Sequence, residues 1–173
     1  MKTSGLISMS SLSQSRKIDI FMNQNEIRKF KNFLKILSGT EDKKSMEFER
    51  CICDKEVLYG IHALSGVDII EDIGEGMACL FTLDNETYAA LEDPDDGYRS
   101  YLGCIGIVNT KPRVTFEPEQ VVVCGHNSKT ENGIRILNAK TGLEILALYT
   151  SDLDDYYPCC RMEYNPENLS ANY

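Results

Sequence analysis

Two short stretches carry the side chains most capable of chemistry. The first, "EDPDDGYRS", sets Glu92, Asp93, Asp95 and Asp96 close together and follows them with Tyr98 and Arg99. The second, "DLDDYYP", contributes Asp152, Asp154, Asp155, Tyr156 and Tyr157. Crowded carboxylates can hold a hard cation, divide acid and base roles, or present a charged patch to a partner. Each use makes its own demand on spacing.

An EF-hand loop needs oxygen ligands at positions 1, 3 and 5, Gly at 6 and Glu at 12. With Gly97 at position 6, Asp96 falls at 5, but Pro94 occupies 3 and Gly103 occupies 12. That loop is excluded. A looser site for a divalent cation, drawn from Asp95, Asp96, Asp154 and Asp155, stays open; no other cofactor is expected. Crowded like charges oppose each other's ionisation unless a cation or an arginine relieves them. Arg99, three residues beyond Asp96, is placed to do so.

Acid–base work by two carboxylates requires environments that separate their pKa values. Metal-assisted hydrolysis usually enlists a histidine or lysine as well, and none stands near either stretch. The chain has no GxxxxGK[ST], GxSxG, HExxH or CxxC. Gly74-Glu75-Gly76 is too short to cradle a phosphate, and a hairpin loop explains His126-Asn127-Ser128-Lys129 equally well. Catalysis is the weaker reading, and no residue is assigned to it. The plainest reading of "EDPDDGYRS" is a turn: Pro94 and Gly97 bend the chain, and the aspartates bond local amides.

The seven cysteines are odd in number, and Cys79, Cys104 and Cys124 fall in apolar, strand-like segments. Both facts favour reduced thiols packed as small hydrophobes. Cys51 and Cys53 share a strand face and Cys159-Cys160 are adjacent, but zinc sites want two pairs with wider internal spacing. His62 and His126 lie outside any ligand-spaced cluster.

Charge is divided unevenly. Residues 1–44 hold nine Lys/Arg against four Asp/Glu, a net of +5, while residues 45–173 hold nine against twenty-three, a net of −14. The acidic part repels nucleic acid and suits a basic partner or a cation. No apolar run approaches the ~18 residues of a membrane span, and the first residues lack the apolar core of a signal peptide. A cytoplasmic location without membrane association is expected.

These groups need elements to position them. Residues 1–22 read as a tail, with "RKIDIFM" a short strand at most. "NQNEIRKFKNFLKILSG" predicts a helix over about 24–38. Asn23 and Glu26 form a capping box, Gly39 is the stop, and Ile27, Phe30, Leu34 and Leu37 make one apolar stripe. Arg28, Lys29, Lys31 and Lys35 occupy its other faces, the only feature that suits nucleic acid. From about residue 45 the period changes to two. "SMEFERCIC", "EVLYGIHAL", "VDIIEDI", "MACLFTL", "YLGCIGIV", "QVVVCG", "GIRILNA", "LEILALYT" and "CCRMEY" predict strands. Asp84-Asn85 predicts a tight hairpin and Gly142 a left-handed turn residue in another. The expected fold is α+β: a largely antiparallel sheet, a meander of about 7–9 strands, with one N-terminal amphipathic helix. One domain over 23–169 is expected, with 170–173 a tail.

From "HALSGVDI" through "FTLDNETYAALEDPDDGYRSYLGCI" to "DDYYPCCRMEYNPENL", the chain resembles a group of small uncharacterised proteins encoded by bacteriophages and prophages. The resemblance rests on EDPxDGYRS after a hairpin and on DDYYP near the C-terminus, and covers about His62 to Leu169. Residues 1–61 lie outside it, and Cys159-Cys160 stand where ordinary strand residues are expected. It implies a phage-derived accessory protein acting in a bacterial host's cytoplasm. With the acidic surface, the expected function is non-enzymatic binding of a host protein through Asp93, Asp95, Asp96, Tyr98, Arg99, Asp152, Asp154, Asp155, Tyr156 and Tyr157. Inhibition of a host defence or of a nucleic-acid enzyme is its sharpest form. The alternative is a metal-dependent enzyme or small-ligand binder using the same carboxylates.

Overall fold

At the hairpin "LDNE", Asp84 and Asn85 both adopt left-handed backbone conformations, with φ of 52° and 68°. That geometry matches the right-handed twist of the strands it joins. The expected tight turn is thus present, between β3 (Ala78–Leu83) and β4 (Glu86–Pro94). Gly142, at φ 75°, likewise turns the chain between β7 (Gly133–Asn138) and β8 (Glu144–Ser151).

The computed structural model describes residues 48–52, 54–71, 76–126, 133–151 and 157–170, with backbone alone for 48–51. The expected helix over 24–38, the tail over 1–22 and the last three residues lie outside these. The remaining strands are β1 (Phe48–Ile52), β2 (Gly60–Ile70), β5 (Ser100–Val108), β6 (Thr115–Gly125) and β9 (Cys159–Tyr164). All nine form one sheet in the order β1-β5-β4-β3-β2-β6-β7-β8-β9, antiparallel at every pairing.

The antiparallel sheet agrees with expectation, but it is not one meander. Strands β2 to β5 and β6 to β9 are two meanders joined through β2 and β6, and β1 is added beside β5. The connection 109–114 must therefore return from β5 to β2. It packs there by setting the Pro112 ring 3.0 Å from the point where a side chain on Gly66 would begin. Gly66 is also where β2 changes register against both neighbours, so a bulge and a close approach coincide at one glycine. Local chemistry overrode only the start of the expected strand "EVLYGIHAL": Lys55–Leu58 is a 3-10 turn, capped by the Asp54 carboxylate on the Glu56 amide, and the strand begins at Gly60.

The sheet curls until its two ends meet. At the start of β5 the Ser100 amide donates to Pro158 O at 3.0 Å. Ser100 Oγ accepts from Cys160 N at 2.9 Å, and Thr150 Oγ1 accepts from Leu102 N at 2.8 Å. The enclosed core includes Phe81 stacked on Tyr88, with Leu64, Ile105, Ile134, Ile136, Leu146 and Leu148. Cys79 and Cys160 sit in it as apolar groups. Burial drives the Cys79 thiol far above its usual range and pushes Cys160 up to about 12, so neither ionises at neutral pH.

Candidate functional site: an aromatic and acidic loop cluster

The loop between β4 and β5 is built around Asp96. Its Oδ1 accepts the Tyr98 amide at 2.7 Å and the Arg99 amide at 2.9 Å. The Arg99 carbonyl closes the turn from the other side, accepting from Asp95 N at 2.9 Å and Asp96 N at 3.3 Å. An aspartate that binds the amides ahead of it is the turn chemistry its sequence predicts. The Tyr98 amide first, then the Arg99 amide and guanidinium, hold the Asp96 carboxyl below its ordinary pKa. Arg99 Nε lies 3.3 Å from Asp96 Oδ2, so this arginine relieves the carboxylate as expected.

With its backbone spent inside the turn, the loop projects its rings outward. Tyr98 is 78% exposed. Its ring centroid lies 5.7 Å from that of Tyr157, which is 46% exposed. The Arg99 guanidinium carbon lies 5.7 Å from the Tyr157 centroid, within reach of the ring's negative face. Thus the two stretches meet: Tyr157 comes from the second and packs on Tyr98 and Arg99 of the first. The join is set by the curl of the sheet, because Ser100 and Pro158, the last residues of the two motifs, are hydrogen-bonded to each other.

The other expected site residues divide three ways. Asp95 is exposed in the same loop, while Asp93 is half-buried within β4 opposite Tyr101. Glu92 points elsewhere, its Oε1 accepting the Met77 amide at 2.9 Å. Asp152, Asp154, Asp155 and Tyr156 lie outside the described residues. Among the described residues, no three His, Cys, Asp or Glu side chains gather as a metal site. Arg99, with 47% of its side chain exposed, is not buried between carboxylates. Among the described residues, the cluster sets two exposed tyrosine rings and a guanidinium together, with Asp95 and Asp96 in the same loop. It offers contact area and charge. It pairs no nucleophile with a base among the described residues.

Two other polar clusters escaped sequence reasoning. His62 Nδ1 lies 2.6 Å from Asp84 Oδ2 and its Nε2 lies 2.8 Å from Leu58 O, tying β2 to the 3-10 turn and to the β3–β4 hairpin. His126 stacks on Tyr149 with ring centroids 3.7 Å apart, and burial lowers its pKa. The pairs His62–Asp84 and His126–Tyr149 each join residues more than twenty positions apart, so only the pairing of strands brings them together. Among the described residues, no helix is long and apolar enough to cross a membrane. No protein-family model, curated protein or solved structure matches the chain.

Proposed function

We propose that the protein is a phage-derived accessory factor that binds a bacterial host protein through the platform of Tyr98, Tyr157 and Arg99 and the carboxylates around it. The observation that carries this reading is the packing of Tyr98 on Tyr157. It joins one exposed tyrosine from each acidic-aromatic stretch, 59 positions apart in the chain. Tyrosine and arginine dominate binding hot spots, because each combines a large apolar body with a polar tip. The net −14 of residues 45–173 favours a partner with a basic surface and speeds its encounter. A host enzyme or defence protein that handles nucleic acid has such a surface. Negative charge presented by Asp95, Asp96, Asp154 and Asp155 would then compete with its phosphate ligand. The resemblance to phage proteins supports a site of action in the host cytoplasm.

The test is affinity capture from a bacterial lysate at low and moderate salt. Wild type is compared with Tyr98→Ala/Tyr157→Ala and with Asp95→Asn/Asp96→Asn; asparagine at 96 keeps the turn's acceptor while removing its charge. A protein retained by wild type, lost with the tyrosine pair and weakened with the aspartate pair is the expected result. An unchanged set of captured proteins overturns the reading, provided melting temperatures show both variants folded.

A further inference from the structure

His62 stands where three elements meet, and both of its ring nitrogens face acceptors. Nδ1 lies 2.6 Å from Asp84 Oδ2, in the hairpin between β3 and β4. Nε2 lies 2.8 Å from the Leu58 carbonyl, at the end of the 3-10 turn Lys55–Leu58. A carbonyl has no proton to give, and an ionised carboxylate has none either. Burial opposes ionisation of Asp84, but the bonds from His62 and from the Ala63 amide outweigh it and lower the carboxyl's pKa. The protons of both bonds must therefore come from the ring. A neutral imidazole carries one N–H and can serve one acceptor; only the doubly protonated ring serves both.

When that ring loses a proton, the two bonds compete for the one that remains. The bond to Asp84 is charge-assisted, and such bonds are about twice as strong as neutral ones. Its acceptor is also fixed, because Asp84 exchanges bonds of 2.9 Å with the Ala63 backbone through both its amide and its Oδ1. The proton therefore stays on Nδ1, and Nε2 is left with its lone pair set against the Leu58 carbonyl. The hairpin also carries Glu86, and the turn with its cap carries Asp54, Lys55 and Glu56. Strand β6 sets the uncharged Val121 opposite His62, with Glu119 opposite Leu64. Among these groups, Asp84 is the one bonded to the ring.

We propose that His62 is a proton-gated clasp: doubly protonated it ties the 3-10 turn Lys55–Leu58 to the β3–β4 hairpin, and on losing a proton it keeps Asp84 and lets the turn go. Histidine is the side chain whose charge ordinarily changes between about pH 5 and 8. The bond to the turn is present at the acid end and lost as pH rises through the ring's titration. The turn's own backbone bonds, Tyr59 N to Glu56 O at 3.0 Å and Val57 N to Asp54 O at 3.3 Å, run within it and do not replace that tie. Leu58 is 3% exposed in the core, while Val57, Tyr59 and Ile61 beside it are among the exposed apolar side chains. The clasp thus sets how firmly an exposed apolar strip is held against the core.

Nitrogen-15 NMR of the full-length chain in a pH series tests this. His126→Gln removes the other of the two histidines and so assigns the ring signals. At the acid end both ring nitrogens of His62 should carry protons. Through the titration Nε2 should lose its proton while Nδ1 keeps one, and the Val57 and Tyr59 amide signals should move with the same midpoint. Hydrogen-exchange protection of the Tyr59 amide, corrected for intrinsic pH dependence, should fall about tenfold, with the Ala63 and Asp84 amides unchanged. Loss of the proton from Nδ1 instead, or turn amides that ignore the ring's titration, would overturn the clasp. His62→Gln should abolish the pH response of the turn, and a response that persists in it would also overturn the proposal. The wild-type reading decides the matter if that variant does not fold.

Discussion

Leu102 donates its amide to the Thr150 hydroxyl at 2.8 Å, joining β5 to β8 across the seam where the sheet meets itself. A side chain here substitutes for a missing strand partner, because β1 pairs only with the second half of β5. The bond lies buried, with Thr150 7% exposed. Thr150→Val keeps the shape and strands the Leu102 amide, at a cost of about 1–3 kcal/mol. Thr150→Ser keeps the hydroxyl and loses less. Urea denaturation of both variants measures the difference, and equal stability of Val and Ser would show that the seam does not depend on this bond.

Asp84 makes the hairpin region sensitive to acid. Burial alone would raise its pKa, but the bonds from His62 and from the Ala63 amide outweigh that and lower it. A depressed carboxylate stabilises the fold fully above its unfolded pKa, near 3.9. That contribution fades as pH falls through the lower folded value. Asp84→Asn keeps the left-handed turn and removes the charge. Because this carboxylate is half exposed, the loss at pH 7 is small, about 0.5 kcal/mol. The gap from wild type should close as pH falls below about 4, measured by denaturation at stepped pH. A gap that is constant with pH would contradict the assignment.

Asn138 anchors the end of the described chain. Its Nδ2 donates to Glu119 Oε2, Asn168 O and Ser170 Oγ, and its Oδ1 accepts the amides of Lys140 and Thr141. Asn138→Ala strands several of these groups and should cost about 2–3 kcal/mol. Asn138→Asp should cost more at pH 7, because it sets a carboxylate against Glu119, and should recover in part at pH 4. Thermal melts at both pH values separate the two effects.

Calcium should leave the melting temperature unchanged at millimolar concentration. Asp96 already satisfies two amides and a guanidinium, so a cation would have to displace them. A ligand that binds the folded state alone raises the melting temperature. A rise of several degrees with calcium, magnesium or manganese, abolished by Asp95→Asn/Asp96→Asn, would move the acidic cluster to the ion-binding alternative.

Much of this protein is legible one segment at a time. The apolar run of "MACLFTL", the alternation in "GIRILNA", the Asp84-Asn85 hairpin, the left-handed Gly142 and the Asp96 turn all follow from residues within a few positions of one another. Their energetics are local: a φ that Asp, Asn or Gly tolerates, or an amide that a nearby aspartate can reach. The opening "EVLYGIHAL" shows the limit of that logic. Its apolar spacing suits a strand, yet the Asp54 cap winds Lys55–Leu58 into a 3-10 turn.

The sequence by itself determined that β-strands would dominate the acidic part of the chain, where hairpins would turn, and which two stretches were rich in carboxylates and tyrosines. Only the tertiary structure decided that β1 would join β5, that β2 would join β6, and that the curl would bring Tyr157 onto Tyr98. Strand neighbours far apart in the chain are selected by which pairing buries the most apolar surface, with Gly66 yielding to Pro112 and Thr150 closing the seam. That selection is a property of the whole sheet, and no window of sequence contains it.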